Sequence, residues 1–262
     1  MARKPTLSPS KISTYLTCPV RYKWTYIDER GRWYMRARSH FSFGTSLHRV
    51  LQRFHDSGDS GVESVHQAVA ALEDSWIEAG YGSAQEMQEA LSEGKSIVAN
   101  YVEHAQATPS DARVLFVEKQ LRADLGEFVL IGRLDRVDEY DDLTLEVVDY
   151  KSGRMGVTDE EVEFDLAMSC YQLLLKAHFP DQPVRARIIA LRSGSSGMAT
   201  LSPEKLEEFK NDLVQLGLEI LHRDFESIVP VYKPMCPNCD FFQLCTKHPE
   251  FEVPASEPSG DA

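Results

Sequence analysis

The sequence predicts an α/β fold in which helices flank a central mixed sheet, and three patterns support this prediction. The first is a β-hairpin, in which residues 129–140 and Leu143–Tyr150 have strand character on either side of an acidic turn. The second is a further pair of strands, at residues 113–123 and at Val184–Arg192. The third is a set of amphipathic helices, including a long one at Pro203–Arg223 that follows the last predicted strand.

The composition is typical of a globular protein, and the charged residues are unevenly distributed along the chain. The chain has 262 residues, enough for one large or two small domains, 42% hydrophobic residues and a net charge of −13. Nucleic-acid-binding proteins usually carry a basic surface. Residues 1–54 contain eleven lysines and arginines against two acidic residues, which leaves −22 for the rest. This N-terminal region could contact phosphates, although basic residues scattered over an ordinary surface are the alternative.

The N-terminal residues predict a helix and then a possible binding loop. Ser8 can cap the helix, with Pro9 in its first turn. Residues 29–40 then alternate arginines with Trp33 and Tyr34. Arginines bind phosphates and aromatic rings stack on bases, so this stretch favours a groove for single-stranded nucleic acid. A loop with two packed aromatic residues fits the same pattern.

Four further helices are predicted around the sheet. Helical spacing of apolar residues predicts one from about Thr45 to His55, and residues 62–80 and 84–106 predict two more. A fourth, at residues 165–179, follows the hairpin. These helices supply the layers that cover the sheet.

The hairpin carries the strongest chemical signal. Asp135 lies on its first strand, and Asp149, Tyr150 and Lys151 end the second. Because side chains alternate along a strand, Asp149 and Lys151 should share one face and Tyr150 should lie on the other. Two carboxylates beside an ammonium can hold a hard divalent cation and orient an attacking water. A solvated acidic hairpin is the alternative.

These residues resemble the RecB-type exonuclease branch of the PD-(D/E)XK nuclease superfamily. That branch usually has G-x-x-D-R followed by (V/I)-D-Y-K-(T/S)-G, and this chain has Gly132–Arg136 and Val148–Gly153 in those places. The resemblance extends from about Ser8 to Cys245. It implies a restriction-endonuclease-like core, hydrolysis of DNA, and a requirement for Mg²⁺ or Mn²⁺.

The resemblance also implies roles for individual residues. His48 matches the metal-binding histidine of a G-x-x-x-H motif, while His55 is a weaker candidate. Gln172 matches the glutamine of Q-x-x-x-Y, but Lys176 occupies the place of the tyrosine, and Tyr171 precedes Gln172 instead. The implied metal ligands are His48, Asp135, Asp149 and the carbonyl of Tyr150. The implied catalytic residues are Lys151, Asp149, Asp135, Gln172 and, as a carboxylate near the metal, Glu118.

Lys151 has three roles open to it. It can orient the attacking water, help to deprotonate it, or stabilise charge on the pentacovalent phosphorus.

Four of the five cysteines form a pattern typical of a metal site. Cys236, Cys239 and Cys245 read C-x₂-C-x₅-C, and Cys18 stands far away near the N-terminus. This spacing suits zinc or an iron–sulfur cluster and could join the two ends of the chain. A disulfide framework is disfavoured, because the number of cysteines is odd and low and no signal peptide precedes Cys18. We therefore expect a cytoplasmic protein.

The family resemblance separates the two metal sites that spacing leaves open. The CRISPR-associated adaptation nucleases and the AddB nuclease domain place one cysteine before the nuclease core and three after it, and bind a 4Fe–4S cluster. The same arrangement here implies a cluster held by Cys18, Cys236, Cys239 and Cys245. Cys170 lies outside the pattern and should be a small buried residue.

These observations predict one nuclease domain over residues 1–248. It would have a helical part at 8–108, a catalytic core at 112–225 and a cysteine clip at 230–248 with Cys18, followed by a disordered tail at 249–262. The first hypothesis is a metal-dependent DNA exonuclease acting on single strands or DNA ends, since the sequence has no Walker A motif to power unwinding. The second is a DNA-processing or assembly subunit, with a protein partner, in a CRISPR adaptation or helicase–nuclease complex. The third is an RNA or small-molecule hydrolase with a zinc clip.

Overall fold

The structure is a computed structural model that describes residues 4–56, 61–153 and 155–254. Its short helical turns are a π-helix at Lys23–Ile27 and 3₁₀ helices at Glu29–Trp33 and Cys236–Asn238. The α-helices are α1 (Pro9–Thr17), α2 (Pro19–Tyr22), α3 (Ser39–His55), α4 (Val65–Asp74), α5 (Ala84–Ala107), α6 (Asp159–Glu163), α7 (Leu166–His178), α8 (Pro203–His222) and α9 (Phe242–Cys245).

The strands form one mixed sheet. They are β1 (Thr6–Leu7), β2 (Arg113–Asp124), β3 (Val129–Glu139), β4 (Leu145–Lys151), β5 (Val184–Ala190) and β6 (Ser195–Ala199). The sheet has the order β1-β3-β4-β5-β6, and β2 also pairs with β3. The β1–β3 and β4–β5 pairs are parallel, whereas β2–β3, β3–β4 and β5–β6 are antiparallel. This arrangement confirms the predicted α/β fold with a central mixed sheet flanked by helices.

Most predicted elements are present with small changes at their ends. The hairpin is β3 and β4, and the helix predicted from Thr45 begins six residues earlier, at Ser39. Polar residues at the start of α3 hid this extension, although Ser42 and Phe43 are buried. The short strands β1 and β6 were not predicted, since β6 has one glycine and three small residues in five.

The chain separates into two compact units. The first contains residues up to Pro9 together with Ala37–Gly217, and the second contains Ser10–Arg36 together with Leu218–Ala262. The sheet and helices α3–α7 therefore belong to the first unit. The second unit contains the N-terminal helical segment and the C-terminal cysteines. Residues 255–262 of the predicted tail lie outside the described residues.

The core of the first unit lies where helices cover the sheet. Apolar residues of α3, α4 and α5 pack in one buried cluster with Val148 and Tyr150 of β4. Helix α7 contacts β3, where Gly132 allows a close approach: a Cβ atom there would lie 2.6 Å from Leu174 and 2.9 Å from the ring of Tyr171. The functional end of the hairpin is thus held between helices.

Within the described ranges, no helix has both the length and the apolar character needed to cross a membrane.

Candidate active site

The end of the β3–β4 ladder brings the predicted carboxylates to one place. Arg136 pairs with Val148, so Asp135 and Asp149 are the next residues along their strands. The Lys151 ammonium lies 2.7 Å from Asp149 Oδ2, which confirms that these two side chains share a face. Tyr150 instead joins the apolar cluster on the other side, as the alternation predicted.

Helix α3 directs His48 toward this end of the hairpin. His48 Nδ1 lies 3.3 Å from Asp135 Oδ2, and Nε2 lies 2.9 Å from the carbonyl oxygen of Tyr150. The same Asp135 oxygen accepts a hydrogen bond from the Tyr150 N–H at 3.0 Å. When Nε2 carries a proton for the carbonyl, the Nδ1 lone pair of a neutral ring faces a carboxylate oxygen. The contact is therefore favourable only with a second proton or a cation at this point.

The charge around His48 is consistent with that geometry. Burial would lower the pKa of His48, but the hydrogen bond to Asp135 and the charges of Asp135 and Asp149 outweigh burial and raise it. The pocket thus favours positive charge at this position.

Glu118 of β2 completes a group that could hold a cation. One ligand atom from each of His48, Glu118 and Asp135 lies within 4.8 Å of the others. Glu118 has φ of +48°, a left-handed conformation that non-glycine residues rarely adopt and that often occurs at functional sites. Burial and the charge of Asp135 raise the pKa of Glu118, although its carboxylate lies 2.5 Å from Arg133 Nε.

Asp149 is the most buried carboxylate of the site. It is 6% exposed, and burial, opposed by Lys151 and reinforced by Asp135, raises the pKa of Asp149 to about 6. Its Oδ2 atom receives no hydrogen bond of good geometry from the described residues, despite the nearby ammonium. Asp149 therefore adds a buried carboxylate near Asp135 and His48, whose charges act on it, and carboxylate oxygens suit Mg²⁺ and Mn²⁺.

The α7 residues are arranged differently from the motif. Gln172 is 2% exposed, and its side-chain oxygen accepts a hydrogen bond from Leu201 N–H at 3.0 Å. Lys176 donates to the carbonyls of Pro180 and Gln182 and so closes the end of α7. Tyr171, to which the sequence assigned no role, is close enough to the carboxylates that burial followed by the charges of Asp149 and Asp135 raises its pKa. In the sequence, the one feature that pointed to Tyr171 was its position beside Gln172.

His55 lies apart from the cation group. Its Nε2 atom is 2.7 Å from Arg136 Nη1 and 2.8 Å from the hydroxyl of Tyr101. The seven-residue spacing placed His55 near the same face of α3 as His48. In the structure, however, the Nε2 atom of His55 is in contact with Arg136.

The second compact unit contains the cysteine pattern. Cys18, Cys236, Cys239 and Cys245 line one pocket, together with apolar residues that include Val20 and Phe241. Burial, together with the other three thiols, raises the pKa of Cys245 to about 12. The Arg21 N–H lies 3.4 Å from Cys18 Sγ, and the Lys233 N–H lies 3.2 Å from Cys236 Sγ.

Cys170 belongs to the first unit and is fully buried in α7, as predicted.

Comparison with known proteins agrees with the site geometry. The family model of the PD-(D/E)XK nuclease superfamily matches residues 6–246. The chain therefore belongs to this superfamily, with a restriction-endonuclease-like fold, and its membership implies a metal-dependent phosphodiester hydrolase that acts on DNA.

Two solved structures resemble the chain at low identity. The crystal structure of SSO0001 has 14% identity and a TM-score of 0.38, with 94% of this chain and 88% of that chain covered. A protein from Eubacterium rectale, named as a candidate exonuclease, has 11% identity and a TM-score of 0.40, with 83% and 94% covered. No curated protein matches the sequence.

Proposed function

We propose that this protein is a divalent-metal-dependent exonuclease that acts on single-stranded DNA or on DNA ends. The observation that carries the proposal is the group formed by His48, Glu118 and Asp135 beside the buried Asp149–Lys151 ion pair. A cation would be held by His48, Asp135, Asp149 and the carbonyl of Tyr150, with Glu118 close by. When bound, it would neutralise charge on the scissile phosphate and lower the pKa of a water molecule.

The protein side chains would then orient the reactants. The Lys151 ammonium is held by Asp149, whose charge raises the pKa of Lys151 although burial opposes it. Lys151 therefore stays protonated at neutral pH in the metal-free site. In this state it can donate a hydrogen bond to the attacking water or to a phosphate oxygen. We assign Gln172 a supporting role, since it ties α7 to Leu201.

Comparing linear and circular single strands tests the proposed exonuclease activity. An exonuclease needs a free end, so the wild-type protein with Mn²⁺ should degrade a labelled linear strand and leave a covalently closed circle of the same sequence intact. Labels at the 5′ or 3′ end then give the polarity. Equal cleavage of the circle would contradict exonuclease action, and cleavage of neither would contradict the nuclease proposal itself.

Replacing His48 with alanine is expected to weaken Mn²⁺-supported cleavage by a factor of about 10 or more, because a metal ligand is lost. The measurement is the cleavage rate as a function of Mn²⁺ concentration. His178→Ala is the matched control, since His178 contacts only the Arg122 carbonyl at 2.9 Å among the hydrogen bonds described. Full activity of His48→Ala at limiting Mn²⁺ would show that His48 is not a ligand.

Within the second unit, Trp33 supports the choice of single-stranded DNA. Its side chain is 73% exposed at the end of the 3₁₀ helix Glu29–Trp33. Asp28 fixes this turn by accepting from the Arg30 N–H at 3.0 Å, and Gly31 packs so closely that a Cβ atom would lie 1.7 Å from the Trp24 carbonyl oxygen. An exposed indole on a firmly held turn, beside the exposed Arg32, is suited to stack on a base.

Trp33→Ala should therefore raise the Kd for a single-stranded oligonucleotide about 10-fold, the loss expected for one stacked base. Fluorescence anisotropy in EDTA, on the Lys151→Ala background, measures binding without cleavage. Leu143→Ala is the control, because Leu143 is 57% exposed in the β3–β4 turn, at the opposite end of the hairpin from Asp135 and Asp149. An unchanged Kd for Trp33→Ala would remove this residue from the DNA-binding surface.

We also propose that Cys18, Cys236, Cys239 and Cys245 hold a 4Fe–4S cluster. Their shared pocket and the backbone N–H groups near Cys18 and Cys236 support this assignment, since such donors stabilise cluster sulfurs. These cysteines lie in a different compact unit from the carboxylates. We therefore assign the cluster a structural role, in which metal binding stabilises the fold.

A further inference from the structure

Four side chains from different elements meet behind β4, on the side opposite Asp149. The guanidinium of Arg136 lies with Nη1 at 2.7 Å from His55 Nε2, 2.9 Å from the Tyr101 hydroxyl and 2.7 Å from the Tyr150 hydroxyl. His55 comes from α3, Tyr101 from α5, Arg136 from β3 and Tyr150 from β4. These residues, called here the Arg136 cluster, connect both helices to the two strands of the hairpin.

The cluster has fewer protons than contacts, because the two N–H groups of Arg136 Nη1 face three possible acceptors. The Tyr101 hydroxyl can donate to His55 Nε2 at 2.8 Å or to the Tyr150 hydroxyl at 3.0 Å. His55 must accept at Nε2 and so must be neutral; burial followed by the charge of Arg136 lowers the pKa of His55 to about 2. Asp138 Oδ2 balances the buried charge, 3.0 Å from Arg136 Nε and 2.9 Å from Nη2.

The Tyr150 side chain is connected to the cation site through the peptide groups of the same residue. The Tyr150 N–H donates to Asp135 Oδ2, and the Tyr150 carbonyl lies 2.9 Å from His48 Nε2. Tyr150 is 4% exposed, so its ring has little freedom once the hydroxyl is bound. The hydrogen bonds of the Tyr150 hydroxyl therefore hold the ring on one face of β4. The peptide groups of the same residue contact the proposed ligands Asp135 and His48.

We propose that the Arg136 cluster is a positioning device for the cation site, which fixes the Tyr150 peptide groups against Asp135 and His48. This inference rests on the proposed metal-dependent function. None of the cluster side chains needs to touch the cation. His55, Tyr101 and Arg136 act through Tyr150, and their contribution is to keep the carbonyl and the Asp135 carboxylate in register before the cation arrives.

Tyr150→Phe is the direct test. It removes one hydroxyl and keeps the ring, and Arg136 Nη1 retains His55 and Tyr101 as acceptors, so the variant should fold. Arg136→Ala is a poor test, because Asp138 would be left as an unpaired buried charge. The readout is Mn²⁺ binding followed by electron paramagnetic resonance of the free ion. The Kd for Mn²⁺ should rise about 10-fold in Tyr150→Phe.

Two further variants separate positioning from general stability. Tyr101→Phe should also weaken Mn²⁺ binding. The double variant Tyr101→Phe/Tyr150→Phe should lose less binding free energy than the sum of the two single losses, because both act through one path. Tyr140→Phe is the matched control: its hydroxyl donates to Glu146 Oε1 at 3.2 Å on the same sheet, away from the site. It should leave the Kd for Mn²⁺ unchanged, even if its Tm falls.

The outcomes distinguish this inference from the proposed function. A wild-type Kd in folded Tyr150→Phe, or equal Mn²⁺ losses in Tyr150→Phe and Tyr140→Phe, would overturn the positioning role while leaving the nuclease intact. A wild-type protein that binds no Mn²⁺ would overturn both. A selective loss of Mn²⁺ affinity in Tyr150→Phe and Tyr101→Phe would support it.

Discussion

Replacing Lys151 with alanine is expected to reduce metal-dependent DNA cleavage at least about 100-fold, the scale of a lost proton-transfer or charge-stabilising group. Lys151 is the ammonium beside the buried Asp149, with an Nζ–Oδ2 distance of 2.7 Å. Without it, the site loses the ammonium that would donate to the attacking water or to a phosphate oxygen. The measurement is the single-turnover cleavage rate at saturating Mn²⁺, with circular dichroism to verify the fold.

Lys205→Ala is the matched control for this experiment. Lys205 forms a more exposed ion pair with Glu163, at 2.5 Å in the same unit, so its removal should leave the rate unchanged. Asp149→Ala should reduce cleavage at least as much as Lys151→Ala does, and it should also weaken Mn²⁺ binding, since a carboxylate is lost. Near-normal cleavage by folded Lys151→Ala protein would contradict the assigned role.

The second large effect is expected at the cysteines. Cys18→Ala should remove the broad visible absorption of anaerobically purified protein and lower its Tm, because Cys18 is the N-terminal member of the pocket formed with Cys236, Cys239 and Cys245. Loss of a metal site that stabilises folding costs several kcal/mol in small metal-binding domains. Absorption spectra and iron and sulfide analysis provide the measurement.

Cys170→Ala is the corresponding control. Cys170 is fully buried outside the cysteine pocket, so this variant should keep the absorption even if the small cavity costs some stability. Colourless wild-type protein that contains one equivalent of zinc would show that the four cysteines hold zinc and not a cluster. Wild-type protein without metal would reject both.

The part of the site formed by neighbouring strand residues was predictable from sequence. Alternation along β4 gave the shared face of Asp149 and Lys151 and the opposite direction of Tyr150, because side-chain direction in a strand depends only on local geometry. The motif at Gly44 placed His48 on a helix, and the structure brings it to Asp135. The Asp149–Lys151 contact follows from local strand geometry, whereas the contact of His48 with Asp135 joins distant parts of the chain and was implied by the family resemblance.

Contacts that depend on packing were not predictable in the same way. His55 was considered for the metal because of its spacing from His48, whereas Arg136, 81 residues later, holds it in the buried cluster. The orientation of α7 decides whether Gln172 or Tyr171 faces the carboxylates, and the close contact at Gly132 fixes that orientation. The helical pattern of apolar residues predicts which face of α7 is buried. It does not decide between neighbouring residues at the edge of that face, such as Tyr171 and Gln172.

The most direct test of the central claim is the metal dependence of cleavage by the wild-type protein. An end-labelled single strand should remain intact in EDTA and be degraded when Mn²⁺ or Mg²⁺ is added, because the carboxylates of Asp135 and Asp149 need a cation to bind the phosphate. The Asp149→Ala protein should leave the strand intact under both conditions. Cleavage that proceeds equally in EDTA, or equally with Asp149→Ala, would contradict a metal-dependent site at the end of the β3–β4 hairpin.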